Sequence, residues 1–288
     1  MLKSVTVDYK RKKTRTPGML DPELYDYVKA AGFDGCDIST YSPAFYQESD
    51  WEAKIYRIRE MLEERGLVCT QMHLPVHDIK LSSEIVQDEV KEATLKNLRA
   101  MKILGCKWAA YHPRTAFSND SRPDVSLRDN YNEISVYLEE AERLDVGIAI
   151  ENIPIFPDCP HFKFYTADYQ DFRELVDIFH SDHIGVCWDF GHANLMATRQ
   201  ERGMELLGDK IRITHVASNR GYFDDHLVPT VGTVNWRSIM PALRAAGYNG
   251  DLNLELNFYD MGRALKSYLA HAYDGLCMLE ELFLGEEQ

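Results

Sequence analysis

Carboxylates and imidazoles recur along this chain at the ends of short apolar runs. His73 closes "VCTQMH", His112 follows "WAAY", Glu151 closes "IAIE", Asp189 closes "GVCWD", His215 closes "RITH" and Glu255 lies in "LNLEL". From each to the next the interval is 39, 39, 38, 26 and 40 residues, close to a fixed repeat. His192, Asp224, Asp225 and His226 follow in polar stretches just beyond two of these runs. Oxygen and nitrogen donors with no cysteine among them suit a divalent first-row ion such as Mn²⁺, Co²⁺, Fe²⁺ or Zn²⁺. In "WDFGHAN" (188–194) Asp189 and His192 stand beside a glycine, a placement that fits two groups held by one ion. Singly, each of these residues reads as a strand-end cap or a satisfied core polar group. As a set in register they predict a metal site, because uncompensated carboxylates crowded together would repel.

Eight β-branched or apolar runs supply the strands: 2–9, 35–40, 67–75, 107–113, 147–153, 183–190, 211–218 and 250–257. Segments of helical period lie between them, at 21–33, 51–66, 82–105, 126–147, 166–180, 235–248 and 262–283. Asp21, Ser82, Ser126 and Thr166 are the predicted N-caps, and Gly66, Gly105 and Gly247 the predicted stops. Apolar strands alternating with amphipathic helices predict a parallel sheet covered by helices. Eight units of about 36 residues each fill a barrel of this type. A doubly wound sheet is disfavoured, since no G-x-G-x-x-G follows the first strand. The expected architecture is therefore a single (β/α)8 TIM barrel over residues 1–288. Its catalytic face lies at the C-terminal strand ends, where the six groups would ring one pocket.

The chain of 288 residues carries a formal charge of −14, which argues against a nucleic-acid partner. Tyr9–Gly18, "YKRKKTRTPG", is the one dense cationic stretch and reads as a solvated loop. No run approaches a membrane span and the first residues lack a signal-peptide pattern, so a cytoplasmic location is expected. Six scattered cysteines, with no C-x-x-C pair, read as buried thiols. The apolar residues of 262–283 fall on more than one side, which fits packing on the barrel alone or a homo-oligomer contact as well.

The motifs "IAIEN" (148–152), "GVCWDFGHAN" (185–194), "THVASN" (214–219) and "DDHLVPTVGTVNW" (224–236), with the Glu255 strand, resemble the xylose isomerase-like barrel superfamily. The resemblance runs from "GFDGCDIS" (32–39) to "LNLELN" (252–257). In the sugar isomerase and epimerase branch it implies one divalent metal ion (Mn, Co, Zn or Mg) held by Glu151, Asp189, His215 and Glu255. Glu151 and Glu255 would also be the catalytic acid–base pair, moving a proton through a cis-enediolate of a small carbohydrate substrate. His73, His112, His192, Arg220, His226 and Trp188 are the expected substrate-binding residues. Trp188, Trp236, Phe190, Tyr111 and Phe156 could wall a sugar ring, and Phe156 sits on a proline-interrupted loop suited to a lid. Thr230 stands where relatives often carry a glycine. His77 and Asp78 read as capping groups.

Two further readings stay open. The endonuclease IV branch implies up to three Zn ions on nine ligands, with counterparts at His73, His112, Glu151, Asp189, His192, His215, Asp224, His226 and Glu255. A short gap between His215 and "DDH" and the acidic charge count against that phosphodiesterase reading. An inosose dehydratase-like lyase would use the same metal and enolate logic. A sensor that only binds sugar would not need the Glu151 and Glu255 pair.

Overall fold

The computed structural model describes residues 1–8, 17–76, 84–116, 122–155, 163–196, 198–256 and 264–285. Its eight strands are β1 (Lys3–Asp8), β2 (Gly35–Ser39), β3 (Val68–His73), β4 (Trp108–Tyr111), β5 (Gly147–Glu151), β6 (Ile184–Asp189), β7 (Ile211–His215) and β8 (Leu252–Leu254). They pair in parallel in the order β7-β6-β5-β4-β3-β2-β1-β8. The ring closes between β7 and β8: Val216 N donates to Asn253 O at 2.7 Å and Glu255 N to Val216 O at 3.1 Å. This is the expected (β/α)8 barrel. His77, Asp78, most of the cationic run, Phe156 and most of its loop lie outside the described residues.

The helices that matter for the site are α1 (Pro22–Ala31), α2 (Ala44–Gln47), α3 (Trp51–Glu63), α4 (Glu84–Leu104), α5 (Pro123–Leu144) and α6 (Tyr169–Asp177). After them come α7 (Phe190–Asn194), α8 (Gln200–Leu207), α9 (Trp236–Ala245) and α10 (Leu265–Leu284). Their apolar faces cover the outside of the barrel in one continuous buried cluster. Two predicted caps shift. Asp168, not Thr166, caps α6, accepting from Gln170 N and Asp171 N, while Thr166 Oγ1 donates to Glu151 O and braces the end of β5. Ser126 lies inside the first turns of α5, which begins at Pro123. Gly66, Gly105 and Gly247 adopt positive φ, as helix stops require.

The barrel interior departs from the usual filling of branched apolar side chains. On one side Ala110, Ala149, Cys187 and Ile213 form a small apolar cluster. Across from it Ser4, Thr6, Asp37, Gln71 and Asn253 are buried and joined by hydrogen bonds, among them Ser4 Oγ to Asn253 Oδ1 and Gln71 Nε2 to Asp37 Oδ2. Cys36, Cys69, Cys106 and Cys187 are buried free thiols, and Cys277 is half-buried. Among the described residues no helix is long and apolar enough to cross a membrane.

Candidate active site

Glu151, Asp189 and His215 end their strands, and Glu255 follows β8 by one residue, so all four converge on the C-terminal mouth. One ligand atom from each lies within 4.8 Å of the others. His215 Nδ1 stands 3.2 Å from Glu255 Oε2, 3.5 Å from Glu151 Oε2 and 3.8 Å from Asp189 Oδ2. Glu151, Asp189 and His215 are at most 1% exposed, yet both Glu151 oxygens, Asp189 Oδ2 and His215 Nδ1 make no hydrogen bond and have only ion-pair contacts, such as His192 Nδ1 to Glu151 Oε1 at 3.0 Å. Buried polar atoms left unpaired are rare and costly. Three carboxylates and one imidazole form a donor set that a divalent ion would satisfy. The residues therefore fit the ion implied by the sequence motifs.

The charges of the cluster are strongly coupled. Burial, with the neighbouring charges of Glu151, Asp224 and Glu255, pushes the Asp189 carboxyl up to about 7, although His192 opposes the shift. Burial also resists ionisation of Glu151 and Glu255; the imidazoles of His112 and His215 for the first, and His215 and His226 for the second, outweigh it and hold both well below the usual range. His192 and His215 rise well above the ordinary histidine value, because the surrounding charges overcome burial. Protons on these imidazoles and a cation would compete for the same carboxylates, so an ion bound here would release protons.

Two flanking groups extend the site. His73 Nε2 and His112 Nε2 lie 3.5 and 3.2 Å from Glu151 Oε2, and with Glu151 make a second set of possible ligands. His73 Nδ1 faces Leu74 O at 2.7 Å, which fixes its ring and leaves Nε2 toward the pocket. On the other side Asp224 Oδ2 sits between His192 Nε2 at 3.3 Å and His226 Nε2 at 2.8 Å. His226 takes a left-handed φ of 47°, a strained conformation for a non-glycine residue. His192 lies 3.0 Å from Glu151 Oε1 and 3.9 Å from Asp189 Oδ1 through Nδ1, and it also meets Asp189 through the backbone. Its backbone N donates to Asp189 Oδ1 at 2.5 Å, the start of α7, while its Nδ1 faces Asn152 O at 2.9 Å.

One expected substrate contact is corrected. Trp188 is fully buried and points away from the pocket, because side chains alternate along β6 and Cys187 and Asp189 take the inner face. Its ring packs under α8, 5.5 Å from Tyr169, and a Cβ on Gly203 would come within 2.3 Å of it. Arg220 has a side chain 62% exposed, with its guanidinium 3.5 Å from Asp225. Tyr111, Phe190 and Trp236 are also buried, in ring contacts with Tyr137 and with each other.

Residues 25–274 match the xylose isomerase-like TIM barrel family. The chain belongs to this family. A D-psicose 3-epimerase of Enterocloster bolteae is 26% identical over 239 residues, covering 80% of this chain and 74% of that one. Uncharacterized protein y4fM of Sinorhizobium fredii is 33% identical over 138 residues, 48% of this chain; the match spans only 42% of that relative. The crystal structure of a D-tagatose 3-epimerase-like protein has the same fold, with a TM-score of 0.78, 20% identity and 99% of each chain covered.

Within this xylose isomerase-like barrel, the structure adds residues to which the sequence motifs assigned no role. Asn152 extends the β5–β6 ladder by one rung of side chain: Nδ2 donates to Asp189 O at 2.9 Å and Oδ1 accepts from Asp189 N at 2.8 Å. It thus fixes the backbone of Asp189. Asn219 ties the loop after β7 to α7, donating to Gly191 O at 2.7 Å and accepting from Asn194 Nδ2 at 2.8 Å. Tyr41, two residues past β2, donates its hydroxyl to Glu255 Oε1. "IAIEN" already placed an amide beside Glu151, but nothing in the sequence placed Tyr41 near residue 255.

Proposed function

We infer that the protein is a metal-dependent epimerase or isomerase of a small sugar ketone. The observation that carries this reading is the buried set Glu151, Asp189, His215 and Glu255, with unpaired donor atoms at the mouth of the barrel. The family membership and the D-psicose 3-epimerase relative support it. These four residues would hold a divalent ion, which when bound would polarise the substrate carbonyl and acidify the adjacent C–H. Glu151 and Glu255 would then take and return the proton, either on opposite faces of one carbon or at neighbouring carbons, through an enediolate. His192 and His226, fixed by Asn152 O, Asp224 and Glu255 O, would orient substrate hydroxyls. His73 and His112 would form the opposite wall.

The test is turnover of a panel of ketoses by the metal-loaded protein, followed by NMR. Epimerisation or aldose–ketose exchange that chelator abolishes is expected; no conversion of any ketose would sink the reading.

A second reading rests on a specific observation, the flanking groups His73/His112/Glu151 and His192/Asp224/His226. With the central four they make nine donors, enough for three Zn ions in a phosphodiesterase. The charge of −14 opposes a DNA substrate. Activity on an abasic-site duplex with three bound zinc ions would favour it.

A further inference from the structure

Tyr41 reaches the site from the loop after β2, a strand that supplies none of the four central residues. Its hydroxyl donates to Glu255 Oε1, while the other carboxylate oxygen, Oε2, is the one 3.2 Å from His215 Nδ1. The Tyr41 ring packs against His73, with centroids 4.5 Å apart, and His73 Nε2 in turn stands 3.5 Å from Glu151 Oε2. Tyr41 therefore touches Glu255 directly and is linked to Glu151 through His73. We propose that Tyr41 is a positioning residue that holds the Glu255 carboxylate so that Oε2 serves the ion and Oε1 serves the substrate. The proposal rests on the epimerase reading given above.

Without the hydroxyl, the carboxylate could rotate and offer both oxygens to a cation, since carboxylates bind divalent ions through one oxygen or two. Its proton-transfer oxygen would then lose its aim. When Glu255 acts as the base, the C–H electron pair stays on the substrate as the enolate and the proton goes to Oε1; Tyr41 keeps its own proton. The backbone at Tyr41 is held independently of the hydroxyl. Val76 N donates to Tyr41 O at 3.0 Å, and the neighbouring Thr40 hydroxyl is paired with Tyr46 at 2.9 Å and Asn97 at 2.7 Å. Tyr41→Phe thus removes one donor and leaves the loop in place.

The experiment follows deuterium entry at C3 of D-fructose and of D-psicose in D2O by NMR, with Mg²⁺-loaded wild type and Tyr41→Phe. Zn²⁺ affinity is measured on both proteins by competition with a chromophoric chelator. Exchange handled by Glu255 should fall about 10- to 100-fold, the worth of one hydrogen bond to a charged group. Exchange from the other epimer should stay within about 2-fold, and Zn²⁺ affinity should be unchanged or tighter. Equal loss at both epimers, no loss at either, or Zn²⁺ affinity weakened about 10-fold or more would overturn the proposal. If wild type exchanges neither of these nor any other ketose of the panel, the epimerase reading fails by itself. The Zn²⁺ comparison then still decides whether Tyr41 keeps Oε1 off the ion.

Discussion

Glu151 and Glu255 share one histidine, His215, whose Nδ1 lies 3.5 and 3.2 Å from their oxygens. On the proposed epimerase reading, that geometry would tie acid–base chemistry to ion binding, so the two functions should fail together. Glu151→Gln and Glu255→Gln should each lower kcat about 10²- to 10⁴-fold, the usual contribution of a positioned acid or base, and each should weaken metal affinity. Steady-state kinetics beside chelator competition checks both; full activity in either variant would remove that glutamate from the mechanism. Arg220→Ala should leave KM within about 2-fold, because its side chain is turned to Asp225 and solvent. At this scale the strand-end residues were legible because each ends a run whose direction is set by the barrel. Tyr41, Asn152 and Asn219 were not, because their roles are contacts across 214, 37 and 28 residues of chain.

Trp188 marks where the reading of elements needed one more step. Its position near a strand end suggested a substrate wall, but the alternation along β6 that turns Asp189 inward turns Trp188 outward, onto α8. Trp188→Phe should accordingly cost about 1–3 kcal/mol of stability while leaving metal affinity within about 2-fold, as read by urea unfolding and chelator competition. A large change in KM with unchanged stability would contradict the placement. A second prediction concerns α8 and α9. Glu201 on α8 accepts from Arg199 and from Ser238 Oγ on α9, and these bonds hold its carboxyl at about 2 against a small effect of burial. A carboxyl depressed in the folded state adds stability that is present above the unfolded value of about 4.3 and is lost as pH falls toward 2. With Arg199 78% exposed, screening limits the expected contribution to about 1 kcal/mol. Glu201→Gln should be less stable by that amount at pH 7, and the gap should close by about pH 2–3. A gap that persists unchanged in acid would refute the linkage.

The alternation of strands and helices made the whole barrel legible, and with it the face on which the chemistry had to lie. The polar half of its interior was not, because Ser4, Thr6, Asp37, Gln71 and Asn253 come from four different strands and meet only once β8 pairs with β1 beside β2 and β3. The site likewise gathers carboxylates whose mutual repulsion a cation relieves, so an ion should stabilise the entire molecule. At about 100 times its Kd, a bound ion adds about 2.7 kcal/mol, equivalent to a rise in Tm on the order of 5 °C for a chain of this size. A melt with and without chelator checks this, and an unchanged Tm would count against the site. The most direct test of the account is metal content per chain, by elemental analysis of protein purified without chelator, beside a Glu255→Gln variant. About one divalent ion per chain is expected, reduced in the variant; no ion, or about three zinc ions, would contradict a single metal centre at the barrel mouth.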